Sequence, residues 1–188
     1  MNQPNQSLSS LIWSVADILR GPYKPYEYGE VILPFTVLRR LDCVLAPTKA
    51  AVLAEKAAKD AMGVNADPFL LRVAGLRFVN TSPLDMKKLL GDQDHIATNL
   101  ASYVQGFSPV VRDIFERFRF AERIERLRKQ GLLYQVTERF AGIDLNPERV
   151  TNMPSLRAAT AIRFAAAFWT TPGHSGTLTR YPPIRRPI

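Results

Sequence analysis

Apolar residues recur at helical spacing along most of the chain. Leu8, Leu11, Ile12, Val15, Ile18 and Leu19 follow an i, i+3, i+4, i+7 stripe, the mark of a helix with one buried face. Ser7 or Ser9 stands where an N-cap belongs, and Gly21-Pro22 ends the pattern, because glycine tolerates the left-handed C′ position and proline cannot continue the ladder. A second helix is predicted over about 27–46, burying Val31, Ile32, Phe35, Leu38, Leu41, Val44 and Leu45, with a kink or break near Leu33 caused by Pro34. Arg39, Arg40 and Asp42 fall beside or opposite that stripe. The alanine- and lysine-rich run from Thr48 to Met62 is a strong helix former, capped by Thr48 and stopped by Gly63.

One device then recurs: Asp67-Pro68, Ser82-Pro83, Ser108-Pro109 and Asn146-Pro147 each place a capping side chain before a proline at N1. The first three predict helices over about 68–75, 83–90 and 109–118. Others follow over about 93–105, 120–130 and 132–142, the last two split by Gly131. Only Leu76 to Val79 reads as extended. The expectation is an all-α protein: a compact multi-helix N-terminal domain of eight or nine helices over 1–152, then an irregular basic tail over 153–188. No internal repeat is visible beyond the capping device.

Charge changes this picture mainly at the C-terminal end. The formal net charge is +8, which invites a nucleic-acid partner. Six of the 25 basic residues and none of the 17 acidic ones fall after Glu148, leaving 19 against 17 before it. The domain is therefore nearly neutral and the excess lies in the tail. Within the domain, Ile114 to Arg139 is the most charged stretch. Glu122–Arg126 and Glu125–Lys129 are i, i+4 pairs in the favourable order. Two readings fit: a solvated face laced with ion pairs, or a phosphate-contacting face built from Arg117, Arg119, Arg123, Arg126 and Arg128.

Candidate chemistry is sparse. No Gly-x-Gly-x-x-Gly, Walker loop or Gly-x-Ser-x-Gly elbow is present. His95 and His174 lack neighbouring ligands at metal spacing, and Asp92, Asp94 and His95 read as a helix cap and first turn. The lone Cys43 excludes an internal disulfide and a cysteine zinc site, and its place on an apolar helix side suits a buried thiol. No apolar run approaches the roughly 18 residues of a membrane span, and MNQPNQSLSS has no signal-peptide pattern. A cytoplasmic protein without membrane contact is expected. Lys24, Arg39, Arg40, Arg123, Arg126 and Lys129 are cationic and expected at the surface, which makes them DNA- or partner-contact candidates. Trp13 reads as packing, while Tyr23, Tyr26 and Phe107 fit either exposed or packing roles.

The blocks LIWSVADILRG, YGEVILPFTVLRRLDCVLAPTK, DPFLLRVAGLRFVNTS, SYVQGFSPVVRDIFERF and IERLRKQGLLYQVTERFAGIDLNPERVTN occur in this order. Together they resemble the helical N-terminal domain of the modification (methyltransferase) subunit of type I restriction-modification systems, over about Leu8 to Asn152. The resemblance implies a partner set: a specificity subunit that reads the bases, a second modification subunit, a restriction subunit for cleavage, and DNA. It implies a role in subunit assembly and in closing the complex around DNA. Full-length members transfer a methyl group from S-adenosylmethionine to adenine N6, using a glycine-rich cofactor motif and an Asn-Pro-Pro-aromatic motif in a following domain.

Neither motif is found here: after Asn152 the sequence diverges from the family and carries no acidic residue. The expectation is thus a piece truncated before the catalytic domain, with no catalytic, cofactor-binding or metal residue and no cofactor of its own. Two origins of the tail remain open. One is an out-of-frame ending. The other is a genuine basic segment in which Leu156, Ile162, Phe164, Phe168 and Trp169 alternate with Arg157 and Arg163. The second origin supports an alternative function, a stand-alone helical module that binds nucleic acid or protein through its tail.

Overall fold

A computed structural model describes residues 8–146. The expected tail and the expected helix start at Asn146-Pro147 lie outside or at the edge of that range. Eight α-helices are present among the described residues, with no strand. They are α1 (Leu8–Leu19), α2 (Tyr28–Leu45), α3 (Lys49–Ala61), α4 (Asp67–Ala74), α5 (Ile96–Gln105), α6 (Pro109–Arg117), α7 (Phe120–Lys129) and α8 (Leu133–Ala141). Short 3-10 turns at Pro25–Glu27 and Lys88–Gly91 complete the regular structure. The all-α expectation holds.

The apolar stripes meet in one core. α8 touches α1, α2, α5 and α7, and α7 touches α2, α5, α6 and α8, so these two helices tie the main core together. The centre is aromatic. Phe140 of α8 stacks on Phe35 of α2 at 5.4 Å, and Phe35 meets Phe120 of α7 edge-on at 5.1 Å. Phe120 continues to Phe115 at 5.3 Å, Phe115 to Phe107 at 6.0 Å, and Phe107 to Tyr103 of α5 at 5.4 Å. Six rings thus run in a chain through five helices and the linker between α5 and α6, each pair adding a directional term to the area it buries. A smaller second core of Val52, Leu70, Ala74 and Val79 holds α3 against α4.

Several expectations need correction. α2 runs unbroken through Pro34, whose ring is buried. The proline removes one donor, and the packing of Val31, Ile32, Phe35 and Leu38 on one face outweighs that loss. No α-helix forms over 83–90. There, Ser82 N donates to Asn80 Oδ1, Leu84 N to Ser82 Oγ, Lys88 N to Asp85 Oδ1 and Met86 N to Asp42 Oδ1. These side chains accept from the backbone amides and offer the segment an alternative to the helical ladder. The proline-preceding caps also differ. Asp67 lies inside α4, and Ser108 Oγ accepts from Val79 N at 2.9 Å instead of capping α6. Thr48 makes no side-chain cap. The 76–79 segment forms no strand; only one antiparallel bridge, Asn80 to Phe107, follows it. Trp13 is 49% exposed, whereas Tyr23 and Phe107 are buried.

Replacing Phe35 by alanine removes the ring shared by two of these contacts. The expected cost is about 3–5 kcal/mol, read as a lowered urea midpoint with an unchanged slope.

Candidate functional site

Polar groups concentrate in two places. The first is a buried knot at the C-terminal half of α2. Arg39 and Asp42 lie three residues apart, both only 8% exposed. Their i, i+3 spacing lets Arg39 Nη1 reach Asp42 Oδ2 at 2.6 Å. Arg39 Nε donates to the Ile143 carbonyl at 2.7 Å, and Arg40 Nη1 to the Leu145 carbonyl at 3.1 Å. The Tyr103 hydroxyl donates to Asp42 Oδ1 at 2.6 Å, where Met86 N also donates. Burial, then the Asp42 carboxylate, pushes the Tyr103 phenol far above its usual range. It therefore acts as a permanent donor.

The knot extends through Asn80, which is 1% exposed. Its side-chain nitrogen donates to the Tyr103 carbonyl at 3.0 Å, and Lys49 Nζ donates to its oxygen at 3.2 Å. Gly106 closes the approach: a Cβ there would meet Ser82 Cβ at 2.7 Å and Ser82 N at 2.9 Å. The outer wall of the knot is a cleft of about 550 Å³ between the end of α2, the start of α3, the 85–88 turn and the 142–146 run. Cys43 also lines it, with its thiol pushed up by burial.

The second assembly clasps α7 to the start of α2. Arg126 grips Glu27 with two nitrogens, at 2.8 and 3.2 Å, while its guanidinium lies 4.1 Å from the Tyr23 ring centroid. Arg123 Nη2 reaches Glu30 Oε2 at 2.8 Å. The Arg126 hydrogen bonds, and then the Lys24 backbone N–H, hold the Glu27 carboxyl below its usual range. Bidentate geometry and a ring beneath the guanidinium make this pair stronger than an exposed i, i+4 pair. The expected Glu122–Arg126 pair is accordingly absent, and Glu122 meets Arg119 at 3.3 Å.

The six sequence candidates thus fall in different surroundings. Arg126 and Arg123 pair with Glu27 and Glu30, while Lys24 meets Glu27 through its backbone N–H and lies with its ammonium 5.9 Å from the Tyr26 ring centre. Lys129 faces Glu125 at 3.7 Å, the pair expected from sequence. Arg40 is half-buried on the 143–145 run, and Arg39 is buried, against the expectation of surface exposure. Its stripe position explains this, since 39 and 42 stand four and seven residues after Phe35. Asp42, Tyr103, Asn80 and Lys49 were missed as a group. Their partners lie 23 to 61 residues apart, which helical periodicity does not report.

No group of three or more histidine, cysteine or carboxylate side chains among the described residues is placed to hold a metal ion. No helix among them is long and apolar enough to cross a membrane.

Replacing Asp42 by alanine leaves Arg39 buried without its carboxylate. The expected cost is about 3–5 kcal/mol, measured by chemical denaturation. Tyr103→Phe is expected to cost about 1.5–3 kcal/mol, with a double mutant below the sum because both changes remove one hydrogen bond. The clasp has a pH signature. Because the folded pKa of Glu27 lies below its ordinary 4.5, its contribution is complete above that value and is lost as pH falls through the folded one. The stability gap between wild type and Glu27→Gln is expected to stay constant above about pH 5.5 and close in stronger acid.

Comparison with known proteins gives one family. The model described as the HsdM N-terminal domain matches residues 8–140, nearly the whole described structure. Neither a curated protein nor a solved structure matches the chain significantly. The fold class, the order of the blocks and this match agree: the chain belongs to the family of HsdM N-terminal domains, the helical N-terminal part of the modification subunit of type I restriction-modification systems.

Proposed function

We propose that these residues serve as the assembly and DNA-clamping module of a type I modification subunit, and that they perform no methyl transfer themselves. The observation that carries this reading is the family match over 8–140. A second support is the charge economy of the fold. Arg39, Arg123 and Arg126 are bound to acids inside the domain, an arrangement suited to rigid presentation of a surface more than to chemistry. Partners are then a specificity subunit, a second modification subunit, a restriction subunit and DNA, in the cytoplasm. S-adenosylmethionine and adenine N6 belong to the catalytic part of full-length members.

Two measurements test this. With labelled S-adenosylmethionine and duplex DNA, no methyl incorporation is expected above background; incorporation would overturn the claim. DNA binding that weakens with salt and survives removal of 153–188 supports the clamp. Binding that disappears with the tail supports the stand-alone basic module instead.

A further inference from the structure

Helix α6 carries apolar residues on two sides. Val111 and Phe115 are buried in the core. Val110, Ile114 and Phe118 recur every four residues on another side and form one ridge along the helix. Val110 is 69% and Ile114 38% exposed, and with Asp113, Arg117 and the half-buried Phe118 they line a groove at the surface. An unused pair of charges flanks the ridge. Asp113 and Arg117 stand four residues apart, in the order that favours an ion pair within a helix. Both are exposed, and neither side chain makes an ion pair or hydrogen bond among the described residues. The arginines of α7 behave otherwise: Arg123, Arg126 and Arg128 each meet a carboxylate.

A phosphate gains little on this face, because its one acid cancels its one base. A helix does fit, since a ridge of i, i+4 side chains packs into the matching groove of another helix. The pattern is moreover its own complement. Consider two antiparallel α6 helices related by a two-fold axis near Ile114. Ile114 then faces Ile114, Val110 faces Phe118, and each Asp113 lies beside the Arg117 of the other copy. Such a contact uses one patch twice and closes as a dimer. It covers exposed apolar side chains and gives both idle charges a partner of opposite sign.

We infer that the outer face of α6 is a self-recognition surface, on which a second copy of this chain docks antiparallel through Val110, Ile114, Phe118 and a reciprocal Asp113–Arg117 pair. The inference deepens the assembly reading and rests on it only for the presence of a second copy at working concentration. The face and its symmetry are properties of α6 itself. A helix of 9 residues makes a small contact, so the pair is weak alone. It strengthens where other subunits already hold two copies together, because the contact then forms within one assembly.

The test is sedimentation equilibrium of the full chain at concentrations up to about 1 mM, where a monomer–dimer equilibrium is expected. Asp113→Arg and Arg117→Asp each set like charges against one another across the two-fold axis, and each is expected to weaken the dimer by about tenfold or more. Both residues are exposed, so neither variant threatens the fold. An equimolar mixture of the two variants is expected to form a heterodimer, since every facing pair is then of opposite sign. The double variant Asp113→Arg with Arg117→Asp is expected to pair as the wild type does. A chain that stays monomeric throughout overturns the inference. So does a dimer indifferent to both reversals, or a mixture that fails to pair. These results leave the assembly reading standing, because two copies can be bridged by a specificity subunit without touching through α6. A chain that pairs through α6 and ignores the specificity subunit overturns the assembly reading and leaves the inference intact.

Discussion

The constraint on which the rest of the domain depends is a carboxylate inside an all-helical core. Asp42 is 8% exposed, and an unpaired charge at that depth would cost several kcal/mol. The structure answers with three donors from separate segments: Arg39, the Tyr103 hydroxyl and the Met86 amide. Each donor fixes a region. Tyr103 sets α5 against α2. Met86 draws the 82–88 segment across the helix ends and keeps it from coiling. Arg39 also gives its Nε to the Ile143 carbonyl, which ties the run after α8 to α2. Asn80 and Gly106 then close the seam between α5 and the 80–82 backbone.

Much of this was legible in the sequence wherever the information was local. The apolar stripes of α1, α2, α5, α7 and α8 place those helices within a few residues, because burial of one face decides a helix more strongly than its end chemistry. Gly21, Gly63, Gly75 and Gly131 adopt positive φ at breaks between elements, as glycine punctuation suggests. What was not legible was non-local. Ser108 and Ser82 look like caps, yet their hydroxyls serve Val79 and Leu84. Asp42 looks like a surface acid until Tyr103 is folded onto it. The one available signal was phase: residues 35, 38, 39, 42 and 45 share a helical face, which puts Arg39 and Asp42 among the buried positions.

The same logic governs the basic residues. Four of the six cations singled out by composition are tied to acids or carbonyls of distant segments: Arg39, Arg40, Arg123 and Arg126. They organise the surface more directly than they decorate it. Lys49, on Asn80 and the Tyr103 ring, is a half-buried cation that no local pattern distinguishes from its lysine-rich helix. A family domain whose buried and clasping arginines are matched by acids of its own, and whose apolar faces close on a main core and a smaller one, is suited to hold its shape.

The proposed assembly role is tested most directly by mixing the chain with a type I specificity subunit and weighing the product by native mass spectrometry. The account predicts a complex of two chains per specificity subunit. A chain that stays unassociated at micromolar concentration, while remaining folded by circular dichroism, would contradict it.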